Sequence, residues 1–381
     1  MPPPSDATSA RLFNHLRTTY CPTRPLLLDG GLATTLELAG HDIATRLWSA
    51  RLLADDPSAV QTIHAAFLRH GAHIATSATY QATTQGIAAE LGGTNEEAAA
   101  LIARGVSIAR AARDEFVAAK GMGRGRSIAR FDSPLVAASV GPFGAFLADG
   151  SEYVGDYAAT AKELELFHRP RLEILANASP DLVAFETVPV IKEAIAMARL
   201  AKPVPHGSAA AGATTEGASS KRGTATHGIP FWISFQCPRI PTSGIPIIAS
   251  GERLSDAVAA VAAELPGGEA VRARLLALGF NCFHPADARA LVTHIRAAIA
   301  EHWKDPLEAP GVVCYPNSGE LYDPEAMAWR KAGGDSEVHW WAQEVAGCGA
   351  DFIGGCCRST PHHIYSVAEI LRKEGRLVEN S

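Results

Sequence analysis

Little in this chain points toward nucleic acid, membranes or secretion. Its 34 Lys and Arg are outnumbered by 40 Asp and Glu, a formal net charge of −6 over 381 residues. No basic stripe offsets that balance, so the electrostatic footprint of a nucleic-acid binder is missing. No apolar run approaches the roughly 20 residues that cross a bilayer, and no membrane partner is expected. The opening MPPPSDATSA has neither the charged start nor the apolar centre of a signal peptide. Cysteine is sparse and odd in number, seven in all, unlike the even sets that staple secreted domains. A cytosolic setting, where thiols stay reduced, is the expectation. A Gly-rich nucleotide loop is also lacking, because GLATTLE at 31–37 does not have the required glycine spacing.

What the chain does have is alternation. Eight short apolar runs recur, each followed by a turn and a helical pattern: RPLLLDGG (24–31), AHIATSATY (72–80), LVAASVGP (135–142), DLVAFETV (181–188), PFWISFQC (230–237), LALGFNC (276–282), GVVCYPN (311–317) and ADFIGGCC (350–357). Continuous apolar strands suit a parallel sheet buried on both faces. Asp56-Pro57 starts one helix, with Val60, Ile63 and Phe67 at helical spacing. Thr94 and Glu97 form a capping box for another that runs to Phe116. Further helices are predicted near 156–177, 190–201, 253–264, 285–301, 325–346 and 361–373. Eight such units predict an α/β fold, a (β/α)8 TIM-type barrel forming one domain over 1–381, with a doubly wound sheet as the runner-up. Residues 203–229 are rich in Gly, Ala, Ser and Thr without hydrophobic period, and read as a flexible insertion.

In such a barrel the chemistry lies where the strands end. Cys282 ends the sixth strand pattern, and the adjacent Cys356 and Cys357 end the eighth. Alternate strands start ~10 Å apart at the backbone, a gap that curvature and inward side chains reduce. Three thiolates could then converge on one ion at ~2.3 Å each, and soft sulfur ligands select Zn2+ with a fourth position left open. Regular strand geometry would point Cys356 and Cys357 to opposite faces; Gly354-Gly355 makes a departure inexpensive. Cys314 reads as core, while Cys237, and less so His362 or His363, stay open as alternative ligands.

Two acids share the same rim. Asp29 precedes Gly30-Gly31, and Glu186 ends the fourth strand pattern. Paired carboxylates suit a ligand with an ammonium group, and backbone N–H groups near Gly30 suit its carboxylate. An amino acid bearing a thiol meets all three features. The loop residues Trp48, Tyr80 and Phe143 could face a sulfonium by cation–π contact.

These motifs resemble the homocysteine S-methyltransferase family from about Leu27 to Leu371. DGGLATTLE, LWSA, TYQAT, FETVPVIKEA, GFNC, YPNSGELYD and GGCCRSTP occur in family order. The resemblance implies a zinc-containing barrel that methylates homocysteine to methionine, with Cys282, Cys356 and Cys357 as zinc ligands. It also implies Asp29 and Glu186 as homocysteine anchors; Gly30 and Asn317 are the further substrate-site candidates. Betaine-using relatives carry an aromatic residue after the acid of the fourth strand, where this chain has Thr187. The implied donor is therefore a sulfonium, S-methylmethionine or S-adenosylmethionine, with S-methylmethionine preferred. Two readings compete: a non-catalytic zinc or thiol redox sensor, and a barrel hydrolase or lyase using Asp29 and Glu186 as acid and base. A scaffold that has lost activity is a weaker third. The sequence is silent on oligomeric state.

Overall fold

The computed structural model describes residues 6–121, 133–202, 228–269, 273–323, 328–330 and 335–378. Eight parallel strands build a barrel: β1 (Leu26–Leu27), β2 (Ile74–Thr76), β3 (Leu135–Val140), β4 (Leu182–Val188), β5 (Phe231–Gln236), β6 (Leu275–Asn281), β7 (Gly311–Tyr315) and, after a separate hairpin of β8 (Leu321–Asp323) and β9 (Ala328–Arg330), β10 (Phe352–Ile353). The hydrogen-bonded order is β1-β10-β7-β6-β5-β4-β3-β2. The circle closes where the His73 amide donates to the Leu27 carbonyl at 2.7 Å. Each βα unit places a helix outside, so the strands are buried on both faces, as their continuous apolar runs require.

Strand parity sorts the side chains. Val136, Ala138, Val183, Phe185 and Ile233 face the helices in the outer core. Leu135, Ala137, Leu182, Ala184 and Trp232 face the barrel interior. Continuing the inward set by twos reaches Ser139, Glu186 and Ser234, so the apolar interior gives way to a polar layer at the C-terminal rim. The opposite end is capped by a helix the sequence reading did not anticipate, Asp6–Thr19. Its Leu12, Phe13 and Leu16 join the inner cluster with Leu26, Leu276 and Phe352.

Most predicted helices are present, with two corrections. The helix predicted over 156–177 starts at Ala161, because Thr160 and Glu163 make a capping box there. The helix predicted over 325–346 begins only at Asp335, and Ala328–Arg330 instead pairs antiparallel with Leu321–Asp323. Pairing of Leu321–Asp323 with Ala328–Arg330 satisfies those backbone amide and carbonyl groups in a ladder, an alternative to helix that apolar spacing alone does not reveal. The 203–229 insertion falls almost wholly outside the described residues.

Candidate metal and substrate site

β10 ends at Ile353, so Cys356 and Cys357 lie in a turn and not in a strand. The Ser359 amide donates to the Cys356 carbonyl, and Arg358 adopts a left-handed conformation with φ 64°. This turn removes the alternation that would have separated the two thiols. Cys282 follows β6 with φ 54°, which turns its side chain to the same place. Its sulfur is 2.7 Å from that of Cys356 and 3.7 Å from that of Cys357. All three sulfurs lie within 4.8 Å of one another, and no histidine or carboxylate belongs to this group among the described residues. Tetrahedral bonds of ~2.3 Å put sulfurs about 3.8 Å apart. The wider pair already fits; the closer one has to open by about 1 Å.

Charge makes the same case. Cys357 is held well below the usual thiol range because it accepts hydrogen bonds from Cys282 and Cys356 and from Tyr153. Cys282 is pushed up, first by donating to those neighbours and then by burial. Three thiolates packed this closely would repel one another, and a cation between them relieves that repulsion. The other cysteines are elsewhere: Cys314 lies in β7 in the buried core, Cys237 is buried with its thiol pushed up by desolvation, and neither joins the cluster. His363 is occupied as the capping partner of Thr360.

The loop carrying the cysteines is seated by glycine. A Cβ on Gly31 would lie 2.7 Å from the Cys356 carbonyl oxygen, and one on Gly355 would lie 2.2 Å from Ser359 Oγ. The Gly31 amide already donates to Ser359. The space at Gly31 therefore admits the cysteine turn, not a ligand. Asn317 accepts from the Cys357 amide at 3.1 Å and clasps the same turn.

Asp29 and Glu186 are both buried at this rim. Asp29 accepts from the Thr76 amide at 2.6 Å and the Thr76 hydroxyl at 2.7 Å. Burial nevertheless raises its pKa to about 7. Glu186 accepts from Ser139 at 2.5 Å. Burial, with the nearby Cys356 and Asp29 charges, raises it to about 8. The two acids and Cys356 thus share one field.

Sequence reasoning missed Asn281. Its Oδ1 accepts from the Thr187 amide and the Ser234 hydroxyl, each at 2.7 Å, and its Nδ2 donates to Thr187 Oγ1 at 2.8 Å and toward the Cys356 sulfur at 3.6 Å. Thr187 needs that grip, since φ 58° is a strained conformation for a β-branched residue. The strain interrupts the register of β4 against β5, so Glu186 and Thr187 can both serve the rim. Replacing Asn281 with Ala should cost about 2–4 kcal/mol from several buried hydrogen bonds. It should also weaken metal binding roughly 10- to 100-fold, as loss of a ligand's supporting partner does. A thermal melt and a chelator competition measure the two; unchanged values in both would remove Asn281 from this role.

Trp48 and Tyr80 meet edge to face with ring centroids 6.0 Å apart, and Tyr80 hydrogen-bonds Thr187. Phe143 instead packs with Phe146, Tyr157 and Phe167 beneath its loop.

The family model described as homocysteine S-methyltransferase matches residues 26–371. This chain belongs to that family. It is 36% identical over 361 residues to the homocysteine S-methyltransferase YbgG of Bacillus subtilis, covering 94% of this chain and 98% of that one. It is 34% identical to a selenocysteine Se-methyltransferase of Brassica oleracea, covering 93% and 91%. Among solved structures, the metallated form of the homocysteine methyltransferase MmuM from Escherichia coli superposes with a TM-score of 0.67 at 33% identity, over 90% of this chain and 95% of that one. Within this family the three-thiol cluster is a site that could hold a metal ion.

Proposed function

We propose that this protein transfers a methyl group from a sulfonium donor, S-methylmethionine in preference to S-adenosylmethionine, to the thiol of homocysteine, with Zn2+ held by Cys282, Cys356 and Cys357. The observation that carries this reading is the convergence of three thiols and two buried carboxylates on one barrel rim. When bound there, zinc keeps the acceptor sulfur deprotonated and nucleophilic at neutral pH, where a free thiol with a pKa of ~8.5 is mostly protonated.

The chain's own groups do the rest. Asp29 and Glu186 take the ammonium of homocysteine, each carboxylate being held in place by a hydroxyl donor, Thr76 or Ser139. The Gly30 amide and Asn317 Nδ2 are the proposed donors to its carboxylate. Trp48 and Tyr80 offer ring surface to a cation, a contact worth ~0.5–2 kcal/mol. Once the sulfur lies behind the methyl carbon, a new S–C bond forms as the sulfonium S–C bond breaks. The electron pair leaves on a neutral thioether, so no general acid is needed. Positioning and charge neutralisation supply the catalysis. A reducing, cytosolic setting suits three unoxidised thiols. Among the described residues no helix is long and apolar enough to cross a bilayer.

The test is methionine formation from homocysteine with S-methylmethionine, S-adenosylmethionine and betaine in competition. S-Methylmethionine should give the highest kcat/KM. Turnover with betaine alone would overturn the donor assignment, and no turnover with any donor would favour a metal or thiol sensor.

A further inference from the structure

We infer that Glu152 is the counter-charge for the cationic sulfur of the methyl donor, a specificity-determining residue on the donor side of the site. This rests on the sulfonium reading above. Glu152 lies in the segment that follows β3, in a single helical turn over Ser151–Tyr153. The residue is half-buried, but its Oε2 is shut off from solvent and has no hydrogen-bond partner. No Lys, Arg or His pairs with it among the described residues. A carboxylate oxygen withdrawn from water without a partner costs free energy, and a cationic ligand would recover that cost.

Its neighbours place it at the reacting end of the site. The Glu152 charge is felt by Cys357, Tyr80 and Tyr157. Its sequence neighbour Tyr153 hydrogen-bonds the Cys357 sulfur. Glu152 does not belong to the metal-capable group, and it is separate from the Asp29–Glu186 pair, whose field is shared with Cys356. A third carboxylate at this rim is left for a second positive charge, and a sulfonium donor brings one.

The segment is built to hold that oxygen still. A Cβ on Gly144 would lie 2.5 Å from the Glu152 nitrogen, so only glycine lets the Phe143–Leu147 helix pack against the Glu152 turn. Buried Glu193 ties both flanks together. It accepts from the Phe143 amide at 2.7 Å, from the Tyr157 hydroxyl, and from His168 at 2.6 Å. A second unmatched acceptor lies against the same segment. Gln81 donates its Nε2 to the Ala145 carbonyl at 3.0 Å, which assigns the amide orientation and leaves Oε1 buried without a donor. Acceptors without donors beside the Trp48–Tyr80 pair describe a wall for a cation.

Glu152→Gln keeps the shape and removes the charge. With zinc-loaded protein, KM for S-methylmethionine should rise about 10- to 100-fold, the range for losing a charge-assisted contact. KM for homocysteine and the zinc content should stay within twofold. The variant should also lose discrimination between S-methylmethionine and methionine as competing ligands, because the two differ by one methyl and one positive charge. A purely structural role would not move that ratio selectively. Glu152→Asp, retaining the charge, should recover part of the donor affinity, and a thermal melt of both variants verifies folding. If the wild-type enzyme turns over a sulfonium while Glu152→Gln leaves donor KM and the discrimination ratio unchanged, this inference alone fails. If the wild-type enzyme uses only betaine, the sulfonium reading fails and the inference falls with it.

Discussion

Serine in place of Cys282, Cys356 or Cys357 should abolish methyl transfer while leaving the barrel folded. Each variant deletes one of three soft thiols that converge within 4.8 Å and are the proposed zinc ligands. Losing a ligand's supporting partner costs roughly 10- to 100-fold in metal affinity, so losing the ligand itself should exceed about 100-fold. The zinc content of purified variants after mild chelation should fall toward zero, and homocysteine turnover should fall with it. Melting temperature should change little, because the outer core between strands and helices lies away from the cysteine turn. That contrasts with small zinc domains, in which metal binding supplies the folding free energy. Cys21→Ser is the control, since that half-buried thiol lies before β1, at the opposite end of the barrel from the rim, and hydrogen-bonds Thr23 at 3.2 Å. Full zinc retention in any of the three rim variants would remove that cysteine from the ligand set.

Glu186→Gln should weaken homocysteine binding about 10- to 100-fold through loss of a charge-assisted hydrogen bond worth ~1.5–3 kcal/mol. Zinc content should be unaffected. Titration of homocysteine into the loaded enzyme measures the effect, and an unaltered affinity would exclude Glu186 from the ammonium site. The pH dependence gives a second reading. Burial raises Glu186 to about 8 and Asp29 to about 7. Below those values the free site is protonated and must release protons to take up an ammonium. Wild-type affinity should therefore improve as pH rises from 6 to 8.5, and the improvement should be smaller in Glu186→Gln. Zinc with three thiolates keeps a net charge of −1, so the direction of these shifts persists in the loaded enzyme.

Stability should move the opposite way. An acid whose folded pKa lies above its unfolded value binds more protons in the native state. Native stability therefore falls as pH rises from about 4.5 to about 8 at Glu186. Removing that acid should raise the melting temperature near pH 8 even as it weakens binding. A residue kept at a cost to the fold is the pattern expected of a binding group.

Much of this site is legible in the sequence for definite reasons. Strand parity is a property of the backbone, so the inward run Leu182, Ala184, Glu186 puts an acid at the rim as soon as β4 is recognised. The eight apolar runs point to a parallel sheet because strands covered on both faces must be apolar throughout, and their number favours a barrel over a doubly wound sheet. Cys282 and the Cys356-Cys357 pair end strands two places apart, and that topology alone brings them to one rim.

Other features were decided only by the tertiary structure, because they depend on contacts between distant segments. Gly31 and Gly355 read as freedom for a ligand or a bend, yet their space is filled by the cysteine turn and by Ser359. Asn281 looks like any polar strand end until it holds Thr187 at φ 58° and reaches Cys356, 75 residues away along the chain. Glu152 sits in a polar loop stretch, DGSEYVGD, where a solvated acid is the ordinary reading. Only the folded chain withdraws its Oε2 from water, on a turn whose backbone packs against Gly144. Residue type and period determine which groups reach the rim; the low dielectric and the close fit around each group, which set its charge and its partners, arise only when the loops fold over one another.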